Sequence, residues 1–243
     1  MAMNRYITTL KGASVVARDT MAFVLKRPEG FLFIPGQHID VELINPEKTD
    51  AEGAIRTFSI ASAAIEPDLM VATRMRDTAF KNVIRTLPPG AEIMLDGPYG
   101  DMILQSNTER PAVFLAGGIG IAPFRSIAVE AARKKLPHTI FLFYSNRAPE
   151  DAPFLNEMRE LERENPRYRI ICTMTGSNNG KTSWQGETGY ITKEMILRYC
   201  SDIPSPVYYL AGPPEMVSAM HTMLLYTMGV SEDDIRIEEF SGY

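Results

Sequence analysis

Two patterns of hydrophobic and polar positions divide the chain. Before Arg110, short alternating or β-branched runs recur at Tyr6–Thr9, Ser14–Ala17, Ala22–Lys26, His38–Leu43, Arg56–Ala61, Leu69–Arg74 and Glu92–Leu95. The stretches RPEG, IPGQ, LPPG and DGPYG separate them with turn-forming glycines and prolines. A strand alternates its faces residue by residue, and many short strands with such turns predict a sandwich or barrel. One helix is expected among them, Ala79–Leu87, with Asp77 or Thr78 as its N-cap.

After Arg110 the rhythm changes. AVFLAGG (Ala112–Gly118), HTIFLFYS, YRIICTMT and PVYYLAG (Pro206–Gly212) are nearly continuous apolar runs, as expected of parallel strands buried on both faces. Helical patterns follow the first, second and fourth. In APFRSIAVEAARKK, Phe124, Ile127, Ala128 and Ala131 share a face, with Pro123 near the first turn. A second helix is expected over 152–164 and a third over PPEMVSAMHTMLLYTMG, where the spacing of Met216, Met220, Met223 and Leu224 favours core packing over a partner groove. IRIEEF (Ile235–Phe240) closes the series. The expected fold class is therefore β + α/β. A six-stranded antiparallel β-barrel over residues 1–107 precedes a five-stranded parallel, doubly wound α/β domain over residues 108–243, with the polar LQSNTERP between them.

Composition narrows the function classes. The 243 residues are 45% hydrophobic, enough for a sizeable core and too many for a disordered chain. A net charge of −5 argues against sequence-independent nucleic-acid binding. The two cysteines, Cys172 and Cys200, exclude a four-cysteine iron–sulfur site within these residues. His38, His138 and His221 lack metal-ligand spacing, so each reads as structural or solvated and no metal site is expected. Neither a secretory leader in Met1–Lys11 nor an apolar run long enough to span a bilayer is visible, so the expected compartment is the cytoplasm.

Three stretches carry candidate chemistry. In AGGIGIAP, Gly117, Gly118 and Gly120 lie where a buried strand turns into a helix. There, phosphates can approach the backbone and meet free N–H groups. A plain tight turn needs the same glycines. In YLAGPPEM, Gly212 and Pro213 would lie at the same carboxyl edge of the sheet, or serve as ordinary helix-start punctuation. In RTFSI, Arg56 and Phe58 share one face of a strand while Thr57 and Ser59 share the other. A cation for a phosphate, a ring to cover a ring and a hydroxyl donor thus occur within four positions.

In order and in coverage of nearly the whole chain, these motifs resemble the ferredoxin–NADP reductase superfamily. Arg56, Phe58 and Ser59 match its Arg-x-Tyr/Phe-Ser flavin motif, and Gly117, Gly118, Gly120 and Pro123 match its Gly-Gly-x-Gly-x-x-Pro loop. Gly212 and Pro213 match its Cys-Gly-Pro loop with Ala211 in place of cysteine, and Glu238 and Phe240 match its C-terminal Glu-x-aromatic. The resemblance implies an FAD-dependent oxidoreductase of the stand-alone type, without a fused iron–sulfur domain. Hydride passes from NADPH or NADH to FAD, and electrons pass on to a separate ferredoxin, flavodoxin or oxygenase component.

By the same resemblance, Arg56 pairs with the FAD pyrophosphate, Phe58 packs on the isoalloxazine or ribityl, and Ser59 hydrogen-bonds near flavin N5. Thr57, Thr73, Arg74, Met75 and Thr78 complete the flavin contacts, with Thr78 at the pyrophosphate. Ser59, Glu238 and Phe240 are the implied catalytic residues. Gly117, Gly118, Gly120, Pro123, Ala211, Gly212 and Pro213 receive the nicotinamide, and either Phe240 or Tyr243 stacks on the flavin. An acid that reads a free 2′-hydroxyl often stands about 20 residues past the glycine loop. Here YSNRAPED places Ser145, Asn146 and Arg147 first. Arg147 leans the reading towards NADPH, against the alternative of a solvated surface arginine. Arg74, Arg76, Lys81 and Arg85 form a candidate docking face for an acidic carrier, or simply a surface helix. Two rivals remain: a free-flavin or quinone reductase, and a flavin-bearing electron-transfer subunit of a larger complex.

Overall fold

A computed structural model of the chain describes residues 5–176 and 184–239. The first sheet contains β1 (Arg5–Ala17), β2 (Thr20–Leu25), β3 (His38–Leu43), β4 (Ile55–Ser59), β5 (Leu69–Arg74) and β6 (Glu92–Tyr99). It is antiparallel, in the order β4-β3-β6-β1-β2-β5. Its two edges meet: Ile60 bridges Val71, and the Ala61 N–H donates to the Met70 carbonyl at 2.7 Å. No open edge is left at that seam, so the sheet closes as a barrel. Inside lie Phe23, Leu25, Ile39, Val41 and Leu95, all under 1% exposed. Each such side chain taken fully from water contributes about 1.5–3 kcal/mol.

The expected strands Tyr6–Thr9 and Ser14–Ala17 are two halves of β1. Register shifts between Leu10 and Gly12 and between Val15 and Ala17 bend it, so Arg5–Thr9 pair with β6 while Leu10–Ala17 pair with β2. The bulge between Leu10 and Gly12 lets one strand change partners. Helix α1 (Ala79–Thr86) forms as expected, and of the two candidate caps it is the Thr78 hydroxyl that accepts from the Lys81 N–H at 3.3 Å. Asp77 instead accepts from the Asn82 side-chain amide at 2.7 Å. Phe80 and Ile84 bury α1 against the barrel core.

The second sheet is parallel throughout, in the order β10-β9-β8-β7-β11-β12. Its strands are β7 (Ala112–Gly117), β8 (Ile140–Asn146), β9 (Tyr168–Met174), β10 (Glu187–Thr188), β11 (Val207–Gly212) and β12 (Ile235–Glu239). Helices α2 (Ile121–Arg133) and α3 (Leu155–Glu164) pack on one face, α4 (Lys193–Cys200) and α5 (Pro214–Thr222) on the other. β7 and β11 are buried at every residue, which is why they carry no polar alternation. The five expected strands are present, and β10, only two residues long, adds a sixth. Helix α4 is also additional, although its signal is in the chain: Thr192 caps it by accepting from the Met195 N–H at 3.2 Å, and Met195, Ile196 and Cys200 share its buried face.

Helix α2 fastens the sheet to the barrel. Arg125, 4% exposed, donates to Glu66 at 2.9 Å and the Ala61 carbonyl at 2.7 Å on the barrel, and to Glu157 of α3 at 2.6 Å. Ser126 donates to the Ser62 carbonyl at 2.6 Å, and Glu130 accepts from the Ile65 N–H at 2.9 Å.

Candidate active site at the domain boundary

On the barrel, Arg56 of β4 lies beside the N-terminus of α1, its guanidinium 5.3 Å from the Phe80 ring. It contacts Asp50 at 2.8 Å and Glu52 at 3.0 Å, and donates to the carbonyls of Glu52, Gly53 and Ile55. The second oxygen of Asp50 accepts from the Ala79 N–H, the first free amide of α1, at 3.1 Å. One carboxylate thus bridges a guanidinium and a helix N-terminus, the two groups that favour an anion. Lys81 lies close by and donates to the Arg74 carbonyl at 2.7 Å. Burial first, then the charges of Arg76, Arg56 and Arg74, push its ammonium below the ordinary lysine range. These cationic groups form a cradle that holds the carboxylates of Asp50 and Glu52.

On the sheet, the loops after β7 and β11 flank the position where the strand order reverses, since the chain runs from β7 towards β8 and from β11 towards β12 on opposite sides. Ligands of open α/β sheets bind at such a switch point. The glycines divide into two sets. A Cβ on Gly120 would strike the Ala211 carbonyl, and one on Gly212 would lie 3.2 Å from the Gly117 nitrogen, so these positions let the two loops touch. Gly118, at φ +53°, faces open space. Pro123 is buried in the first turn of α2, and Pro213 caps α5.

The two halves meet at β4 and β12. Ser59, 3% exposed, donates to Glu238 Oε1 at 3.1 Å, and His38 Nδ1 lies 3.7 Å from that same oxygen. Register explains the meeting: His38 pairs with Ser59 across β3 and β4, and Glu238 pairs with Ala211 across β12 and β11. Glu238 Oε2 is buried without a hydrogen-bond partner among the described residues. Burial is the main cause that raises the Glu238 carboxyl to about 7; the Ser59 hydrogen bond opposes the rise and the Asp101 charge adds to it. An acid balanced near neutrality, aimed across a domain boundary, suits proton transfer.

Comparison with known proteins agrees with this geometry. Residues 114–222 match the oxidoreductase NAD-binding domain family. The chain is 32% identical to one subunit of the Na(+)-translocating NADH-quinone reductase of Methylococcus capsulatus over 163 residues, 65% of this chain and 39% of that protein. The corresponding subunit from a Pseudomonas aeruginosa strain is 31% identical over 160 residues, again covering 39% of it. The chain therefore spans about two fifths of the length of these relatives. Among solved structures, Amycolatopsis cytochrome P450 reductase GcoB superposes at a TM-score of 0.82 and 23% identity, covering 99% of this chain and 71% of that one. The ferredoxin NADP+ reductase of Neisseria gonorrhoeae, solved with FAD and NADP, superposes at 0.79 and 21% identity, covering 97% and 98%. The chain has the ferredoxin–NADP reductase fold.

Placed in that fold, the expected residues fall into three groups. Arg56, Arg74 and Thr78 surround the cradle. Ser59 and Glu238 meet, as do the loops carrying Gly117–Gly120 and Ala211–Pro213. Several other expected side chains are engaged within the protein. Phe58 is 7% exposed at the barrel core, its ring 5.8 Å from Phe80. Met75 packs against the same core, and the Thr73 hydroxyl is buried and donates to the Arg74 carbonyl. The Thr57 hydroxyl donates to Asp40, on the face away from the cradle.

At the end of β8, Ser145 is half-buried and Arg147 exposed. Asn146 is buried, with neither side-chain polar atom partnered among the described residues. Phe240 and Tyr243 lie outside the described residues. Burial raises the Cys172 and Cys200 thiols to about 11 and 12, so both are inert packing groups. Trp184 anchors its loop by donating to the Glu187 carbonyl at 2.8 Å, with Arg159 stacked 4.9 Å from its ring. Methionines 216, 220 and 223 pack on the α4–α5 face of the sheet. Sequence reasoning leaves out Asp50 and gives His38 no part in the site. Neither belongs to a motif, and only the folded register brings them there.

Proposed function

We propose that this chain is an FAD-dependent NAD(P)H reductase, with residues 1–107 as its flavin half and 108–243 as its nucleotide half. The observation that carries the reading is the Ser59–Glu238 contact, a hydroxyl of one domain bonded to a near-neutral acid of the other at the edge of the nucleotide loops. The residues fit the cofactor. Asp50 stands in for a phosphate between Arg56 and the α1 N-terminus, and a pyrophosphate would take that position with more charge and more acceptors. When bound there, FAD supplies hydride acceptance and release of electrons singly or in pairs.

The chain's own residues do the rest. Arg56, Arg74, Lys81 and the Thr78-capped helix hold the diphosphate. The Gly118 backbone and the Ala211–Pro213 loop admit the nicotinamide, with Ala211 leaving room where many family members hold a thiol. Ser59 and Glu238 hold and move a proton at the flavin edge. The exposed Arg147 favours a 2′-phosphate and hence NADPH. Electrons leave to a separate carrier such as a ferredoxin, flavodoxin or oxygenase component, drawn to the basic side of α1. The relatives named as subunits of an NADH-quinone reductase support a second reading, in which this chain delivers electrons within a larger complex.

Purified protein should be yellow or take up FAD to become so. Arg56→Ala should weaken FAD retention by at least about tenfold, the scale of one charge-assisted contact, read by flavin fluorescence after dialysis. Colourless protein that no added FAD reconstitutes would overturn the proposal. Steady-state reduction of ferredoxin against free riboflavin separates carrier reductase from free-flavin reductase, and co-purification with a larger subunit favours the complex.

A further inference from the structure

The flavin and nucleotide regions leave a basic cleft unused, at the end of the barrel away from the cradle. Thr20 and Arg74 pair at the cradle end of β2 and β5, and Leu25 and Leu69 pair at the other. The six residues of β5 hold the two ends about 17 Å apart. We propose that this cleft binds a small organic anion bearing two or three carboxylates. The inference goes beyond the flavin reading and does not depend on it.

Three observations carry it. The first is the cleft itself, about 540 Å³ and large enough for a small ligand. It opens where β1 changes partners: Thr9 still pairs with β6, while Leu10 pairs with β2. On one side the Gly90 N–H, in the turn before β6, donates to the Leu10 carbonyl at 2.7 Å. On the other the Lys26 N–H donates to the Thr9 carbonyl at 2.9 Å. Pro67 and Pro89 add stiff apolar walls.

The second is charge. Lys11, Lys26 and Arg27 line the cleft against one acid, Asp68, in a chain whose net charge is −5. Lys11 pairs with Asp68 at 2.6 Å, so a carboxylate already meets one of the cations. Among the described residues, Lys26 and Arg27 have no carboxylate partner. Their charges are left for a ligand.

The third is preorganisation. Arg27 is half-buried, with its guanidinium 5.1 Å from the Phe33 ring. Its Nε donates to the Phe31 carbonyl at 3.0 Å and its Nη1 to the Ala64 carbonyl at 2.7 Å. The planar fork is thereby held in place, and Nη2 remains for a carboxylate. A donor ordered beforehand loses less freedom on binding.

The arrangement also selects the class of anion. Compact phosphates favour helix N-termini and runs of backbone N–H groups, and neither lines this cleft. Its cations stand on β1 and at the end of β2, with prolines in the wall. A short carbon chain with separate carboxylates suits both features: the carboxylates meet Lys26 and Arg27, and the chain lies on the prolines.

Citrate is the probe, with sodium chloride at matched ionic strength as the control. Citrate should raise the thermal midpoint of FAD-loaded protein saturably, above the chloride control. Lys26→Gln and Arg27→Gln should each weaken binding about fivefold, the upper range for one exposed charge pair. Electron delivery should stay at the wild-type rate in both. Lys26 is exposed, so its variant decides the matter if Arg27→Gln fails to fold. Arg56→Ala, which alters the cradle, should leave citrate binding unchanged with or without FAD. Binding that is lost in Arg56→Ala and kept in Lys26→Gln places the anion in the cradle and overturns the proposal. A midpoint shift that chloride reproduces overturns it too. Pyrophosphate binding through Lys26 more tightly than citrate overturns the carboxylate assignment.

Discussion

Two of the seams between the barrel and the sheet follow opposite rules. At α2 the polar groups are saturated. Arg125 directs its donors to Glu66, Glu157 and the Ala61 carbonyl, and its guanidinium lies 5.3 Å from the Phe154 ring. At β12 one buried carboxylate oxygen of Glu238 has no hydrogen-bond partner among the described residues, and burial raises the carboxyl to about 7. Buried polar groups are nearly always satisfied, so an exception at a domain boundary calls for a ligand or a proton. Both seams bring one strongly polar side chain of the sheet domain against the barrel. The saturated one fixes where the domains stand, and the unsaturated one keeps its chemistry for what enters between them.

The largest effect should come from breaking the saturated seam. Burial alone would raise the Glu66 carboxyl, yet hydrogen bonds and charge from Arg125 hold it below its ordinary value. Arg125→Gln leaves Glu66 and Glu157 facing each other without the cation. Arg125 is buried while Glu66 and Glu157 keep 29% and 40% of their side-chain surface, so losing its charged hydrogen bonds costs about 1–3 kcal/mol. Urea denaturation should show a loss of that size. A loss under about 1 kcal/mol, the size of an exposed pair's contribution, would mean that the two seams do not differ as described.

How much of this contrast the chain discloses before folding depends on the range of the interaction. The strands, α1 and its Thr78 cap, and the glycine loops are written in periods of two or four residues and in local turn chemistry, so they are legible. Ser59 and Glu238 each sit in a recognisable motif, although their meeting spans 179 residues. Arg125 does not stand out, because a helical arginine usually faces solvent and nothing local says that Glu66 and Glu157 will enclose it. Phe58 shows the same limit: alternation assigns it a face but does not say that Phe80 of α1 will lie against that face. β1 reads as two strands because Gly12 marks a bulge and a turn alike.

The unsaturated seam makes a smaller, signed prediction. Glu238 is raised from its ordinary 4.5 to about 7. Between those values the folded protein keeps a proton that the unfolded chain has released, so stability falls as pH rises. The slope reaches about 1.4 kcal/mol per pH unit. Glu238→Gln stays neutral throughout and should flatten that slope in FAD-free protein, with denaturation midpoints at pH 5 and pH 7 drawing together. A wild-type curve that is already flat, or that rises with pH across this window, would show that the carboxyl is paired after all.

The smallest effect extends the same contrast to the glycine loops. Gly117, Gly120 and Gly212 are taken up by close packing between the loops, as Arg125 is by its carboxylates. Gly118 resembles Glu238 in having capacity left over: open space where a Cβ would go, at φ +53°. Gly118→Ala should therefore cost folding only the left-handed backbone penalty, about 1–2 kcal/mol. Its effect on nucleotide binding should be larger if, as proposed, the nucleotide approaches the loop through the open space that the added methyl would fill. Thermal unfolding and NAD(P)H titration of one variant give both numbers. If binding is unchanged while stability drops, Gly118 shapes a turn and nothing more, and the switch point loses its claim to the nucleotide.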